Sequence, residues 1–171
     1  MDDNKVVEYI VQKKAGSKEM LIRALLVVLA LGISLVTTMF LGLYGLIFTF
    51  FAVFFAIYFY KYTSIEYEYL MLGGEMTVDV IYGRNKRKTV QKFDLKRAEL
   101  ITYIDSESAM FYSNATSMTT FDFTSGYADV PAENKIFMVV GYGAGNAKVF
   151  FEASDKVKEY LNYYYPTKTK F

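Results

Sequence analysis

The stretch of residues 24–60 contains no Asp, Glu, Lys or Arg, which makes 37 consecutive uncharged positions. A helix of that length would reach about 56 Å at about 1.5 Å per residue, whereas the hydrocarbon core of a bilayer is about 30 Å thick. The stretch is therefore too long for one crossing and fits two crossings joined by a tight turn. Gly42 and Gly45 supply the backbone freedom for that turn. We predict a transmembrane helical hairpin with spans at about residues 20–41 and 44–62.

Lysine and arginine side chains flank the predicted hairpin at its two open ends and are missing from its turn. The flanking cations are Lys5, Lys13, Lys14, Lys18, Arg23 and Lys61. Because cytoplasmic flanks carry the excess of positive charge, we expect a multi-pass protein of the cell membrane with both termini in the cytoplasm. A cleaved signal peptide is one alternative, but its apolar region should span only about 7–15 residues. A buried helix pair in a soluble protein is the other, although no polar face interrupts either arm.

Small side chains recur at helical spacing along both predicted spans. They are Ala30, Ser34 and Thr38 on the first span, and Thr49, Ala52 and Ala56 on the second. Small side chains let helix backbones approach closely in lipid. We expect these faces to hold the hairpin closed, and a homo-oligomer interface is the alternative. The spans carry no ionisable side chain at membrane depth, so a proton or ion pathway lacks its usual residues.

The remainder of the chain, residues 63–171, changes to short alternating runs separated by glycine and polar pairs. Such runs predict about seven strands. They occupy residues 64–72, 75–82, 87–93, 98–104, 121–123, 135–142 and 147–152. The pair Gly73-Gly74 is a two-residue hairpin signal between the first two runs. The part between residues 105 and 131 is rich in Ser and Thr and has the weakest pattern.

The end of the chain changes to helical periodicity. Ser154 or Asp155 can cap a helix that ends near Tyr164, before Pro166. Its predicted apolar stripe consists of Val157, Tyr160, Leu161 and Tyr164. The predicted fold class is therefore α+β. We divide the chain into a cytosolic N-terminal segment (residues 1–19), the transmembrane hairpin (20–62) and a cytosolic β-rich domain (63–171).

This order of strands and a final helix resembles the pleckstrin-homology-like fold, in which a bent antiparallel barrel is capped by its C-terminal helix. The segments that carry a closer resemblance are residues 8–11, 66–69, 74–79, 84–88 and 149–152. They are similar to an uncharacterised family of two-span membrane proteins of Gram-positive bacteria with a C-terminal pleckstrin-homology-like domain. The resemblance implies a barrel and a membrane location, and it implies no established activity. Pleckstrin-homology domains commonly bind phosphoinositides through basic residues of the first hairpin loop. Here that loop is Gly73-Gly74-Glu75, which carries no cation, and the cations begin one turn later, so the sequence departs from the pattern for phosphoinositide binding.

Charge is distributed unevenly along the predicted β-rich domain. Residues 84–97 contain seven cations and one anion, whereas residues 99–133 contain six anions and no cation. A basic hairpin near an anionic leaflet gains about 1 kcal/mol for each cation close to the surface. We therefore predict a membrane- or partner-binding site formed by Arg84, Lys86, Arg87, Lys88 and Lys92. The alternative is that these cations only keep an edge hairpin soluble and unpaired.

Side chains suited to catalysis are scarce. The chain has no Cys and no His, which excludes thiolate nucleophiles, disulfides and imidazole ligands. Residues 141–148 resemble a phosphate loop, but Lys148 is followed by a β run and not by a helix. An enzyme using carboxylates and a hard metal would need more groups than pairs such as Glu66 with Glu68, or Asp122 with Asp129. We expect no catalysis, no cofactor and no metal.

The sequence thus predicts a noncatalytic integral membrane protein whose cytosolic domain binds a protein partner or the inner leaflet. An acidic protein surface would suit the cations, whereas nucleic acid is not expected, because Phe93 is the one aromatic residue among them. The alternative function is a structural subunit of a membrane complex that assembles through its transmembrane helices.

Overall fold

The computed structural model describes residues 6–171, which form four helices and nine strands in two compact units. The elements are β1 (Val7–Gln12), α1 (Ser17–Leu41), α2 (Gly45–Tyr62), β2 (Ile65–Leu72), β3 (Glu75–Tyr82), β4 (Lys86–Asp94), β5 (Ala98–Tyr103), α3 (Glu107–Ser113), β6 (Thr119–Asp122), β7 (Lys135–Tyr142), β8 (Gly145–Glu152), α4 (Asp155–Tyr164) and β9 (Thr169–Lys170). We call residues 14–65 with 81–87 the helical unit. The remaining described residues, 6–13, 66–80 and 88–171, are the β-rich unit.

Helices α1 and α2 lie side by side in the helical unit and run in opposite directions. A 3-10 turn at Gly42–Tyr44 joins them, and Gly42 has a φ of 56° that favours glycine. Near this turn the Thr37 hydroxyl donates a hydrogen bond to the Gly45 carbonyl oxygen at 3.4 Å. At the other end, Arg23 Nε donates to Thr63 Oγ1 at 2.7 Å. The two helices are therefore joined at both ends, and they also contact each other along their length.

The contact between α1 and α2 is made mostly of small side chains. The shielded small residues are Ala30, Ser34 and Thr37 on α1, and Gly45, Thr49, Ala52 and Ala56 on α2. Their alternating spacing of four and three residues is that of a left-handed helix pair. The predicted small-residue faces thus pack against each other within the chain. Thr38 is the exception: it is exposed, and its neighbour Thr37 occupies the contact.

At Gly45 the two helix backbones come into close contact. A Cβ atom added at Gly45 would lie 2.5 Å from the Thr37 carbonyl oxygen, which is backbone and has little freedom to move. We therefore expect Gly45→Ala to force the helices apart and to lower the thermal stability of the pair in detergent. Gly32→Ala is the matched control, because a Cβ there meets no described atom within 4 Å. Equal melting temperatures for the two variants would contradict this packing.

The outward surface of the helical pair is apolar. Phe40, Leu43 and Leu31 are 82%, 84% and 66% exposed, and among the described residues of α2 only Gly45 is buried. Soluble proteins rarely expose an apolar patch beyond a few hundred Å². Ser17–Tyr62 is long and apolar enough to be one candidate membrane-spanning region near the N-terminus. The alternative of a buried core pair does not fit this exposure.

Four strands form the first sheet, in the order β1-β2-β3-β4. We did not predict β1, because we assigned its residues to an N-terminal segment outside the domain. It pairs antiparallel with β2 along its whole length, from Val7 opposite Met71 to Gln12 opposite Glu66. The helical pair is therefore the connection between two neighbouring strands. In chain order the first hairpin of the sheet is β1–β2, and Gly73-Gly74 belongs to the second.

Five strands form the second sheet, in the order β6-β8-β7-β5-β9. The two sheets pack through aromatic rings: the centroids of Tyr69 on β2 and Phe151 on β8 are 5.8 Å apart. The prediction of about seven strands was too low, because β1 and the two-residue β9 were missed. These pairings describe two packed sheets, and closure into a barrel stays a prediction.

Helix α4 begins and ends where the sequence predicts, at Asp155 and Tyr164. Val157, Tyr160 and Leu161 are buried, which confirms most of the predicted stripe, and the helix contacts β1. Helix α3 was not predicted. The Ser106 hydroxyl caps it by accepting a hydrogen bond from the Ala109 N–H at 3.1 Å.

Candidate functional site

The turn between β3 and β4 lies against the C-terminal end of α2, within the helical unit. The Gly83 N–H donates to the Ser64 carbonyl oxygen at 2.9 Å. A Cβ at Gly83 would lie 3.0 Å from the Lys61 carbonyl oxygen, and its φ of 58° also favours glycine. Arg84 follows with a φ of 63°, unusual for a residue with a side chain. This close approach places the start of the basic sequence beside the last turn of α2.

A group of cations therefore gathers at one end of the apolar helical pair. We call it the basic collar, and it consists of Arg23, Lys61, Arg84, Lys86 and Arg87. Arg23 is half-buried, and the other four cations of the collar are exposed. The Arg23 guanidinium lies 4.9 Å from the centroid of the Tyr60 ring, within the range of a cation–π interaction. Cations and tyrosines at the end of an apolar helix are typical of a membrane–water interface.

The five predicted site residues are divided between the two units. Arg84, Lys86 and Arg87 belong to the basic collar, whereas Lys88 and Lys92 lie further along β4 in the β-rich unit. Lys92 Nζ forms a salt bridge with Glu75 Oε1 at 3.0 Å, and both side chains are exposed. The pair compensates part of the Lys92 charge but contributes only about 0–1 kcal/mol. β4 is an edge strand, so its lysines also suit the alternative of edge protection.

The six anions of residues 99–133 do not gather at one point in the part of the chain that the structure describes. Glu99 Oε1 accepts from Asn146 Nδ2 at 2.8 Å, and Asp122 Oδ1 accepts from the Thr124 N–H at 2.9 Å. Among residues 6–171, no three Asp or Glu side chains lie close enough to hold a metal ion. The carboxylate arrangement that a metal-dependent enzyme would need is therefore not found within that range.

Lys148, the last residue of the glycine-rich segment, has a structural partner. It is buried on β8, and its Nζ donates to the carbonyl oxygens of Ser113 and Ala115 at 2.8 and 2.9 Å. These carbonyls lie at and beyond the C-terminal end of α3, where a cation is favourable. Gly143 and Ala144 form the turn between β7 and β8, as expected of a hairpin and not of a phosphate loop.

A buried polar cluster that we did not predict joins the two sheets. Glu152 accepts hydrogen bonds from the Ser125 N–H at 2.8 Å and from its hydroxyl at 2.6 Å. Nearby, the Tyr69 hydroxyl donates to the Phe123 carbonyl oxygen at 2.7 Å. Burial, more than the neighbouring Glu152 charge, raises the pKa of Tyr69 well above its ordinary value. These groups have a structural role, because all of their described partners are internal.

A family model described as "Bacterial PH-like domain (DUF6106)" matches residues 3–171. The chain belongs to this family. The match includes β1, the helical pair and the β-rich unit, so the helical pair is part of the sequence that the family shares and not an addition to it. The predicted pleckstrin-homology-like fold is confirmed at this level. No curated protein and no solved structure matches the chain.

Proposed function

We propose that this bacterial PH-like protein is a noncatalytic, multi-pass protein of the cell membrane. Its helical pair crosses the bilayer twice, both termini lie in the cytoplasm, and the basic collar contacts the anionic headgroups of the inner leaflet. The observation that carries this proposal is the apolar outward surface of α1 and α2, which ends in the basic collar. The anchor thereby keeps the PH-like domain at the cytoplasmic surface.

Lipid is favoured over an acidic protein as the partner of the basic collar because of its position. Lys61 lies in the last turn of the apolar helix, and the turn at Gly83 is in direct backbone contact with it. Cations at this depth lie within a Debye length of about 8–10 Å of a charged leaflet and gain about 1 kcal/mol each. A soluble acidic partner would have to compete with lipid for the same groups.

The alternative of a structural subunit that assembles through its helices is less well supported. Five of its six proposed contact residues, all except Thr38, are shielded in the contact between α1 and α2. Assembly through these faces would require the pair to open. The exposed side chains of the pair are mostly large and apolar, such as Leu31, Phe40 and Leu43, and these favour contact with lipid over close helix packing.

The crossing pattern can be tested with single cysteines, since the chain has none of its own. Leu43→Cys lies in the turn between the helices, and Lys156→Cys lies on the exposed side of α4. In intact bacterial cells, we expect a membrane-impermeant maleimide to label Leu43→Cys. Lys156→Cys should react only after permeabilisation. Labelling of Lys156→Cys in intact cells, or protection of Leu43→Cys, would contradict the proposed topology.

The lipid contact can be tested by native mass spectrometry of protein released from mixed phosphatidylglycerol and phosphatidylcholine nanodiscs. We expect the double variant Arg84→Asn, Lys86→Gln to retain several-fold less phosphatidylglycerol than the wild type. Asparagine is chosen at position 84 because it tolerates a positive φ. The matched control is Lys156→Gln, Lys170→Gln, which removes two exposed cations elsewhere. Equal lipid retention by both double variants would contradict the headgroup contact.

A further inference from the structure

A cavity of about 300 Å³ lies in the β-rich unit, between the β2–β3 turn and the end of α4. Its lining residues are Gly73, Gly74, Lys96, Tyr160, Tyr164 and Tyr165. We call it the tyrosine pocket. Its volume is at the lower end of the range found for small-molecule sites in proteins. The pocket shares no residue with the basic collar, so a ligand bound there would be independent of the proposed function.

The polar side chains that line the tyrosine pocket can each donate a hydrogen bond, and a phenol oxygen can also accept one. Lys96 brings an ammonium group, and Tyr160 and Tyr165 bring phenol hydroxyls. Burial raises the pKa of both phenols above the ordinary value, so they stay protonated at physiological pH. None of the residues lining this cavity is Asp or Glu. A set of donors without a carboxylate suits a ligand group that only accepts hydrogen bonds.

The surroundings add positive charge and an aromatic wall of two rings tilted by 43° to each other. Lys168 Nζ lies 5.8 Å from the centroid of the Tyr165 ring and donates to the Lys96 carbonyl oxygen at 2.5 Å. The nearby anion is Asp94, whose carboxylate accepts the Lys96 N–H at 2.9 Å and whose charge acts on Tyr165, so two lysines surround the pocket against one carboxylate. The rings of Tyr160 and Tyr164 have centroids 4.6 Å apart and form the apolar side. The pocket therefore offers charge to an oxyanion and a ring face to a planar group.

From this arrangement we infer that the tyrosine pocket binds a small planar compound carrying a phosphate or carboxylate group. Lys96 and the two phenols hold the oxyanion, and the Tyr160–Tyr164 pair contacts the planar part. A soluble planar compound is favoured over a lipid headgroup, because the headgroup of a glycerophospholipid carries no flat ring for the Tyr160–Tyr164 pair to contact.

The test uses the full chain in phosphatidylcholine nanodiscs and phenyl phosphate as the probe, with binding measured by calorimetry. Binding should be detectable in the micromolar to millimolar range and stronger than that of inorganic phosphate, which has no ring. Lys96→Gln should weaken it by about tenfold or more, since a charge-assisted hydrogen bond is lost. Tyr165→Phe should weaken it by about three- to tenfold.

Two control variants keep the test independent of folding. Lys156→Gln removes an exposed cation of α4, and Tyr163→Phe removes a hydroxyl from a side chain that is 75% exposed. Both should bind phenyl phosphate as the wild type does. Absence of binding to the wild type, or equal weakening by Lys156→Gln and Lys96→Gln, would overturn the inference. Displacement of phenyl phosphate by phosphatidic acid in the nanodisc would identify a headgroup as the ligand and overturn the soluble class.

Discussion

Removal of residues 1–13 should unfold the β-rich unit and leave the helical pair able to form. The deletion takes away β1, which pairs with all but the ends of β2 and buries Val7 and Val11. Burying a valine side chain contributes about 1.5–3 kcal/mol, and the loss also exposes the edge of β2 beside the buried Tyr69. The total is comparable to the whole stability of an ordinary domain, about 5–15 kcal/mol. Limited proteolysis in detergent should show rapid cleavage within residues 66–171 and slower cleavage of the helices.

Point variants test whether the buried side chains of β1, and not only the presence of residues 1–13, stabilise the β-rich unit. Val11→Asn places an amide at a buried position and should lower the free energy of unfolding by about 2–4 kcal/mol. Gln12→Asn, at the exposed neighbouring position, should change it by less than about 0.5 kcal/mol. Hydrogen exchange in β2 reports both effects. If the deletion leaves exchange in β2 unchanged, the pairing of β1 with β2 is wrong.

Glu152→Ala should be the most destabilising single substitution in the buried polar cluster, with a loss of about 3–5 kcal/mol. Glu152 is 4% exposed and its carboxylate accepts two hydrogen bonds from Ser125, so its removal strands a buried N–H and a buried hydroxyl. Glu152→Gln keeps an acceptor oxygen in the same place and should lose only about 1 kcal/mol. Chemical denaturation in detergent would measure the difference between the two.

The matched control for this cluster is Glu99→Ala. Glu99 also accepts a hydrogen bond, from Asn146 at 2.8 Å, but it is exposed, so water can replace the lost partner. We expect a change below about 1 kcal/mol. If Glu99→Ala lowered the free energy of unfolding as much as Glu152→Ala does, burial of the carboxylate would not explain the effect.

The elements that could be predicted from the sequence are those whose signals are local. The pair Gly73-Gly74 between two alternating runs predicts β2, β3 and their turn. The shift from alternating to helical periodicity after Glu152 predicts α4 with nearly the bounds that the structure has. In contrast, β1 has a clear alternation of Val7, Tyr9 and Val11. Its partner lies more than 50 residues later, beyond the apolar run, and alternation alone does not reveal so distant a pairing.

The sequence identifies the cations from Arg84 to Lys92, and their role in binding stays a prediction. Their division between the end of α2 and the edge of the sheet depends on the contact of Gly83 with Lys61, which the sequence does not reveal. Arg23 belongs to the basic collar because it lies beside Tyr60 and Thr63 in the folded chain, and the sequence alone does not show this. The tyrosine pocket is harder to predict from the sequence. Its three tyrosines are close together in the chain, but Lys96 comes from another element.

The placement of the helical pair between β1 and β2 sets an order of events during synthesis. The ribosome produces β1 first, then both helices, and only then the strand that pairs with it. The first sheet consequently has to wait until the hydrophobic segment has left the exit tunnel and turned back on itself. Under the two-span topology proposed above, a chain whose second helix ended on the wrong side of the bilayer would keep β1 and β2 apart. Pairing of β1 with β2 would then require that both helices had integrated correctly.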